Sequence, residues 1–147
     1  MAYAGHIEKQ TLANNYFRHV IFTGKHAQLV LMSLKPKEEI GNEVHKKVDQ
    51  FFRIESGEAK FVLNQKNQGV FRVLGNAKNF RHNGRENHIA KNGDAVIIPA
   101  GTWHNVINAG TKKLKLYTIY SPPNHPDKTI HKTKADAEKA EAAEKRH

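Results

Sequence analysis

A chain of 147 residues is about one domain's worth and buries roughly two thirds of its unfolded surface, enough for a single core, which argues against two domains. It has no cysteine, which excludes disulfides and thiolate sites and leaves nitrogen and oxygen as the ligands for any metal. The formal net charge of +10 admits nucleic acid, an anionic surface or an anionic small substrate as partner classes, and its distribution along the chain helps to decide.

The amino-terminal M-A-Y-A-G-H-I-E-K-Q lacks the apolar core of a signal peptide, and no run approaches the ~18 apolar residues of a membrane span, so the expectation is a cytoplasmic protein with no membrane partner. A polar lead-in from residue 11 passes into Y-F-R-H-V-I-F-T, an aromatic and β-branched strand that ends at Gly24 and sets Arg18 and His19 on opposite faces. Ala27 to Leu34 is a second strand, apolar almost throughout, which suits burial on both sides or a dimer contact, and Pro36 ends it. Lys37 to Lys47 is polar and carries Glu43 and His45, whose side chains leave an extended backbone on the same face. In the strand that follows, Gln50, Phe52 and Ile54 share one face, with Phe51, Arg53 and Glu55 on the other. Alternation turns Asp49 away from the Gln50 face, towards a salt bridge with an exposed Lys or Arg. A tight S-G-E turn at residues 56–58 leads into a return strand, Ala59 to Asn64, with Phe61 and Leu63 facing one way.

Residues 64–92 hold Lys66, Arg72, Lys78, Arg81, Arg85 and Lys91 against Glu86 alone, a local balance of +5. With only Phe71 and Phe80 for stacking and no helical period, this stretch reads as a solvated basic loop and not as a nucleic-acid site. Strands are expected at Val70 to Leu74 and near His88 to Ala90, with turns at Gly75, Asn83-Gly84 and Asn92-Gly93, and His82 and His88 are expected to be solvated.

Gly93 to Asn108, reading G-D-A-V-I-I-P-A-G-T-W-H-N-V-I-N, is strand, tight turn, strand. Asp94 to Ile98 suits a buried strand, Pro99 cannot donate to a ladder, and Gly101 can take the positive φ that the turn needs. Alternation then sets His104, Val106 and Asn108 on one face and Trp103, Asn105 and Ile107 on the other. Leu114 to Tyr120 alternates as a closing strand, with Leu114, Leu116, Thr118 and Tyr120 on one face, and S-P-P-N-H-P-D at 121–127 ends the sheet. Thr133 to His147 reads as a helix with a capping box from Thr133 to Asp136, marginal alone unless Ala135, Ala140 or Ala143 packs on something.

The spacing Gly93, five residues, Pro99, one residue, Gly101, two residues, His104, three residues, Asn108 resembles the second sequence motif of the cupins at every position. Gly41 to Gly57 resembles their first motif in part. Counting back from Gly57 sets Gln50 at the usual Glu, His45 at the second His and Glu43 at the first. The resemblance covers roughly residues 27–121 and implies an all-β cupin jelly roll, a double-stranded antiparallel β-helix barrel, over 1–132 as a single domain, with a helical tail at 133–147. Carried over position by position, it implies one divalent metal ion (Fe, Mn, Ni or Zn) held by Glu43, His45, Gln50 and His104. Exchanging a His for Glu43 and the Glu for Gln50 leaves the summed ligand charge at −1, that of the usual three imidazoles and one carboxylate. Pro122 to Ala137 further resembles the tail of single-domain cupins described as similar to mannose-6-phosphate isomerase.

Phe52, Phe61, Val106, Leu116 and Tyr120 fall on the inward faces and are expected to line an apolar pocket above the metal. No Ser or Thr elbow and no phosphate loop is present, so metal chemistry is what remains for catalysis. Three readings stay open: an enzyme on a small sugar-like or oxidisable substrate, acting as an isomerase, epimerase or dioxygenase; a small-ligand binding or sensing module; and a barrel with an empty site. A homodimer is expected from the apolar Ala27–Leu34 strand and the outward Phe51.

Overall fold

The computed structural model describes residues 1–64, 71–75, 78–82 and 84–144. Lys66, Val70, Asn83 and the end of the expected tail at 145–147 lie outside them, as does the side chain of His82. The elements are α1 (Ile7–Ala13), β1 (Arg18–Thr23), β2 (Gln28–Leu34), β3 (Asp49–Ser56), β4 (Glu58–Asn64), β5 (Asn79–His82), β6 (Arg85–Lys91), β7 (Ala95–Ile98), β8 (His104–Asn108), β9 (Leu114–Ser121), β10 (Ile130–His131) and α2 (Lys134–Glu144). The strands form two antiparallel sheets, of order β10-β1-β2-β9-β3-β7 and β5-β6-β4-β8. This is the jelly roll that the motif resemblance implies. Among the described residues no helix is long and apolar enough to cross a membrane.

Alternation decides which side chains meet between the sheets. From β2 come Val30, Met32 and Leu34, from β3 Phe52 and Ile54, from β4 Phe61 and Leu63, and from β9 Leu114 and Leu116, all in one buried cluster. The Phe52 and Phe61 rings meet edge to face across the two sheets, 5.1 Å between centroids, a pairing that adds to their burial. The turn between β3 and β4 requires a glycine. Gly57 has φ +91°, and a Cβ there would stand 2.9 Å from the Lys113 carbonyl oxygen and 3.0 Å from the Leu114 Cα.

Several expectations need correction. The polar lead-in is partly helical: α1 packs on β9 and β3 and buries Thr11, whose hydroxyl donates to the Ile7 carbonyl at 2.7 Å. Residues 71–74 form no strand, and β5 at Asn79–His82 was not anticipated. His88 is buried and not solvated, 7% exposed, with its ring 5.3 Å from that of Phe71. Asp49 makes no salt bridge among the described residues. Its Oδ1 accepts the Ala100 backbone N–H at 2.8 Å and so ties the start of β3 to the turn after β7. The Thr133–Asp136 capping box is present, with reciprocal bonds of 3.1 and 3.2 Å. The buried alanine is Ala137, and not Ala135, Ala140 or Ala143.

Candidate metal centre

β8 presents His104 to the interior at 1% exposure, its ring 6.3 Å from that of Phe52. The His104 Nδ1–H donates to the Thr102 carbonyl at 2.9 Å, because a carbonyl can only accept, and this fixes the tautomer so that Nε2 carries the lone pair. That Nε2 is buried and has no hydrogen-bond partner. Burial lowers the His104 pKa, with the Thr102 bond and the Glu43 charge opposing, so the imidazole is neutral at pH 7, as a ligand must be.

The first-motif segment runs alongside β8 as irregular extended chain. Glu43 and His104 exchange both backbone hydrogen bonds at 2.9 Å, a pairing that sends their side chains out on the same side. His45 is placed by the second-motif turn: its carbonyl accepts the Gly101 N–H at 2.8 Å, and Gly101 holds the φ of +84° that no other residue takes without strain. The intact motif thus positions the altered one.

Glu43 Oε1 lies 3.3 Å from His45 Nε2 and 3.8 Å from His104 Nε2. One ligand atom from each of the three falls within 4.8 Å of the others. His45 Nε2 is, like His104 Nε2, buried without a hydrogen-bond partner. Gln50 is 1% exposed; its Nε2 donates to Thr118 Oγ1 at 3.0 Å, which leaves Oε1 buried and unpartnered. Two buried imidazole nitrogens converging on a carboxylate, with an amide oxygen free, form a donor set that fits a divalent cation of borderline softness.

Of the five residues expected to line a pocket, Phe52, Phe61, Val106 and Leu116 face inward and fill the barrel as core. Tyr120 is also buried, and its ring stands 5.7 Å from that of His45. The cavity at the site, about 500 Å³, is bounded instead by residues that include Ile40, Glu43, His45, Trp103, Glu141 and Glu144. A larger cavity of about 640 Å³ lies between β7 and residues 71–73 and touches none of Glu43, His45 and His104. The site is therefore reached through the smaller one.

Four polar residues behind Tyr120 were not singled out from the sequence. His125 Nε2 and the Tyr120 hydroxyl share a hydrogen bond of 3.2 Å. Buried Gln28 holds the loop that carries His125, accepting the Asn124 and His125 N–H groups at 3.1 and 2.9 Å and donating to the His125 carbonyl at 2.7 Å. Burial, helped by the Arg18 charge, pushes the His125 pKa down to about 3. Burial also raises the Tyr120 phenol, with Glu43 adding to the effect, so both groups stay uncharged at neutral pH. Arg18 and His131 complete the set, cross-strand partners on β1 and β10. For Arg18 a signal was legible, since it shares its strand face with Val20.

The Cupin_2 model, a cupin domain, matches residues 75–120. The uncharacterized protein YrkC of Bacillus subtilis (strain 168) is 48% identical over 138 residues, 92% of this chain and 65% of that protein. The uncharacterized protein L612 of Acanthamoeba polyphaga mimivirus is 46% identical over 125 residues, 84% of this chain and 68% of its own length. This chain thus spans about two thirds of either relative. The crystal structure of BH2720 from Bacillus halodurans superposes with a TM-score of 0.80 at 37% identity, covering 95% of each chain. With the matched domain, the full-length structural likeness and the two-sheet jelly roll in agreement, the chain belongs to the cupins.

Proposed function

We propose that this cupin is a metal-dependent enzyme acting on a small organic molecule, sugar-like or oxidisable, that enters the cavity beside Trp103. The observation that carries the reading is the convergence of two buried, unpartnered Nε2 atoms, from His45 and His104, on the Glu43 carboxylate. Leaving two such atoms buried without partners costs about 1–3 kcal/mol each, an expense that a bound cation removes.

In this reading Glu43, His45 and His104 hold one ion of Fe, Mn, Ni or Zn, and Gln50 stands by as a neutral oxygen donor. The ion, when bound, supplies Lewis acidity or, for iron, oxygen activation. The chain's own groups do the rest. Phe52 packs against His104 and excludes water from its buried side. Thr118 orients the Gln50 amide. The protonated Tyr120 hydroxyl and neutral His125 form an uncharged hydrogen-bonded wall beside His45. Metal analysis of protein purified without chelator and without a nickel column tests the proposal: about one equivalent of a transition metal supports it, and metal-free protein that also fails to take up any of the four ions overturns it.

The cytoplasm is the compartment proposed with it, and nucleic acid is no partner in this reading. A pair of copies is proposed through the outer face of the larger sheet, where Phe51 stands between Ile97 and Ile119 in register and Ile97 is 65% exposed. Light scattering that returns a monomer mass across micromolar concentrations overturns the pairing.

A further inference from the structure

Arg18 heads the large, fully buried side chains among the described residues, at 1% exposure. Its guanidinium carries a full charge at any pH the protein meets, and taking such a group from water costs several kcal/mol unless a close counter-charge compensates. The Phe17 ring, its centroid 5.4 Å from the Arg18 Cζ, offers a cation–π contact, but compensation by charge is poor. Nη1 lies 3.2 Å from His131 Nδ1, and its single salt-bridge partner among the described residues is Glu141 Oε1 at 3.6 Å, on a side chain 50% exposed. Nε is buried and has no hydrogen-bond partner. A half-exposed carboxylate at that distance returns little, and the fork that guanidinium offers to a carboxylate takes two parallel bonds, where this contact makes one long one.

Glu141 has a second environment. It lines the cavity of about 500 Å³ together with Glu43, Glu144, His45 and Trp103, a lining that does not include Arg18, so Glu141 is the side chain that connects that cavity with Arg18. The neighbouring groups add no further positive charge: His125 and His131 are both held below the ordinary histidine pKa by burial and by Arg18 itself. One guanidinium flanked by neutral imidazoles matches a carboxylate, whereas a phosphate dianion calls for more than one cation.

We propose that Arg18 is the anchor for the carboxylate of a small organic acid, and that Glu141 of α2 occupies this position until the ligand displaces it. The proposal deepens the function argued above by naming organic acids as the substrate class, and it rests on that reading for the role of the cavity. It also gives α2 a role, since the helix reaches the site from β10, which is paired to β1 beside Arg18, and its Glu141 latches over the anchor.

Trp103 is the single tryptophan and lines the same cavity, so its fluorescence reports ligand entry whether or not a metal is bound. The full chain, stripped with chelator and dialysed, is titrated with malonate, with dimethyl malonate and with inorganic phosphate at fixed ionic strength. Malonate is expected to bind, with phosphate weaker and the neutral diester silent. Glu141→Ala is expected to tighten malonate binding about tenfold, by removing the competing carboxylate, and Arg18→Lys in that background to abolish the gain, because a lysine keeps the charge but loses the fork. Malonate affinity unchanged by Glu141→Ala overturns the proposal, as does phosphate binding as tightly as malonate. Should Arg18→Lys fail to fold by circular dichroism, the Glu141→Ala comparison decides alone. Because the titration uses metal-free protein, failure of the metal site and failure of the carboxylate anchor give separate results.

Discussion

The two ends of the barrel interior are built from the same strands and are equally dry, yet they hold opposite kinds of residue. On β3 and β9, Phe52, Ile54, Leu114 and Leu116 occupy one end, and Gln50, Thr118 and Tyr120 the other; on β8, Val106 faces the first and His104 the second. All of these are at most 1% exposed. Burial therefore does not distinguish them. What differs is satisfaction: the apolar end packs without polar atoms, whereas His45 Nε2, His104 Nε2 and Gln50 Oε1 lie at the other with no hydrogen-bond partner. Two of these atoms stand within 3.8 Å of the Glu43 carboxylate, a grouping for which a core chosen for stability alone has no use.

Substitutions on the two ends sharpen the contrast. Phe52→Ala is expected to cost about 3–5 kcal/mol in chemical denaturation of chelator-stripped protein, because it empties the layer against Phe61. His104→Ala, although equally buried, is expected to cost no more than about 2 kcal/mol in the same assay, since deleting an unpartnered nitrogen returns part of its desolvation penalty. Equal losses would erase the distinction between the ends.

Acid is expected to act on the polar end first. In the fold His125 stays neutral down to about pH 3, while unfolded it takes its proton near 6.5; the unfolded chain then binds more protons between those values. Stability present above pH 6.5 is accordingly lost as pH falls towards 3, by about 2 kcal/mol at pH 5. His125→Gln removes this dependence while keeping a partner for Tyr120. Denaturation curves of both proteins at pH 7 and pH 5 measure it, and parallel losses in the two would assign the acid sensitivity elsewhere.

Gln50 offers a smaller effect. Gln50→Glu adds a carboxylate and is expected to tighten divalent-metal binding about tenfold at neutral pH, a gain lost as the new acid protonates near its reference value of about 4.3. Gln50→Ala is expected to weaken binding only severalfold, as a neutral amide oxygen contributes least. Affinity unchanged in both variants would remove Gln50 from the ion's surroundings. Smallest is Thr133→Ala, expected to cost about 1 kcal/mol of α2 stability by removing the cap, read as faster amide exchange in the first turn.

How much of this was legible in the sequence follows from the range of the interactions involved. The strand-turn-strand from Gly93 to Asn108 is set locally by Pro99, Gly101 and period-two alternation, and the assignment of His104 and Val106 to the inward face holds. The shared face of Glu43 and His45 also followed from alternation, although only the pairing with β8 brings His104 to them. α1 was not legible, because seven residues without an apolar stripe owe their helix to docking on the sheet. Nor was the partial burial of His125, which sits in a proline-rich stretch that looks solvated; Gln28, on the distant β2, holds its backbone in place. For Arg18 the alternation gave two faces without saying which was inner, and Val20 was the available clue.

The central claim is that Glu43, His45 and His104 form one metal site. Titration of chelator-stripped wild type and His104→Ala with Zn(II) and Mn(II), followed calorimetrically, tests it most directly. The account predicts one equivalent bound by the wild type and a loss of more than about 100-fold in affinity in the variant; binding of equal strength in the two proteins, or no stoichiometric binding in the wild type, would contradict it.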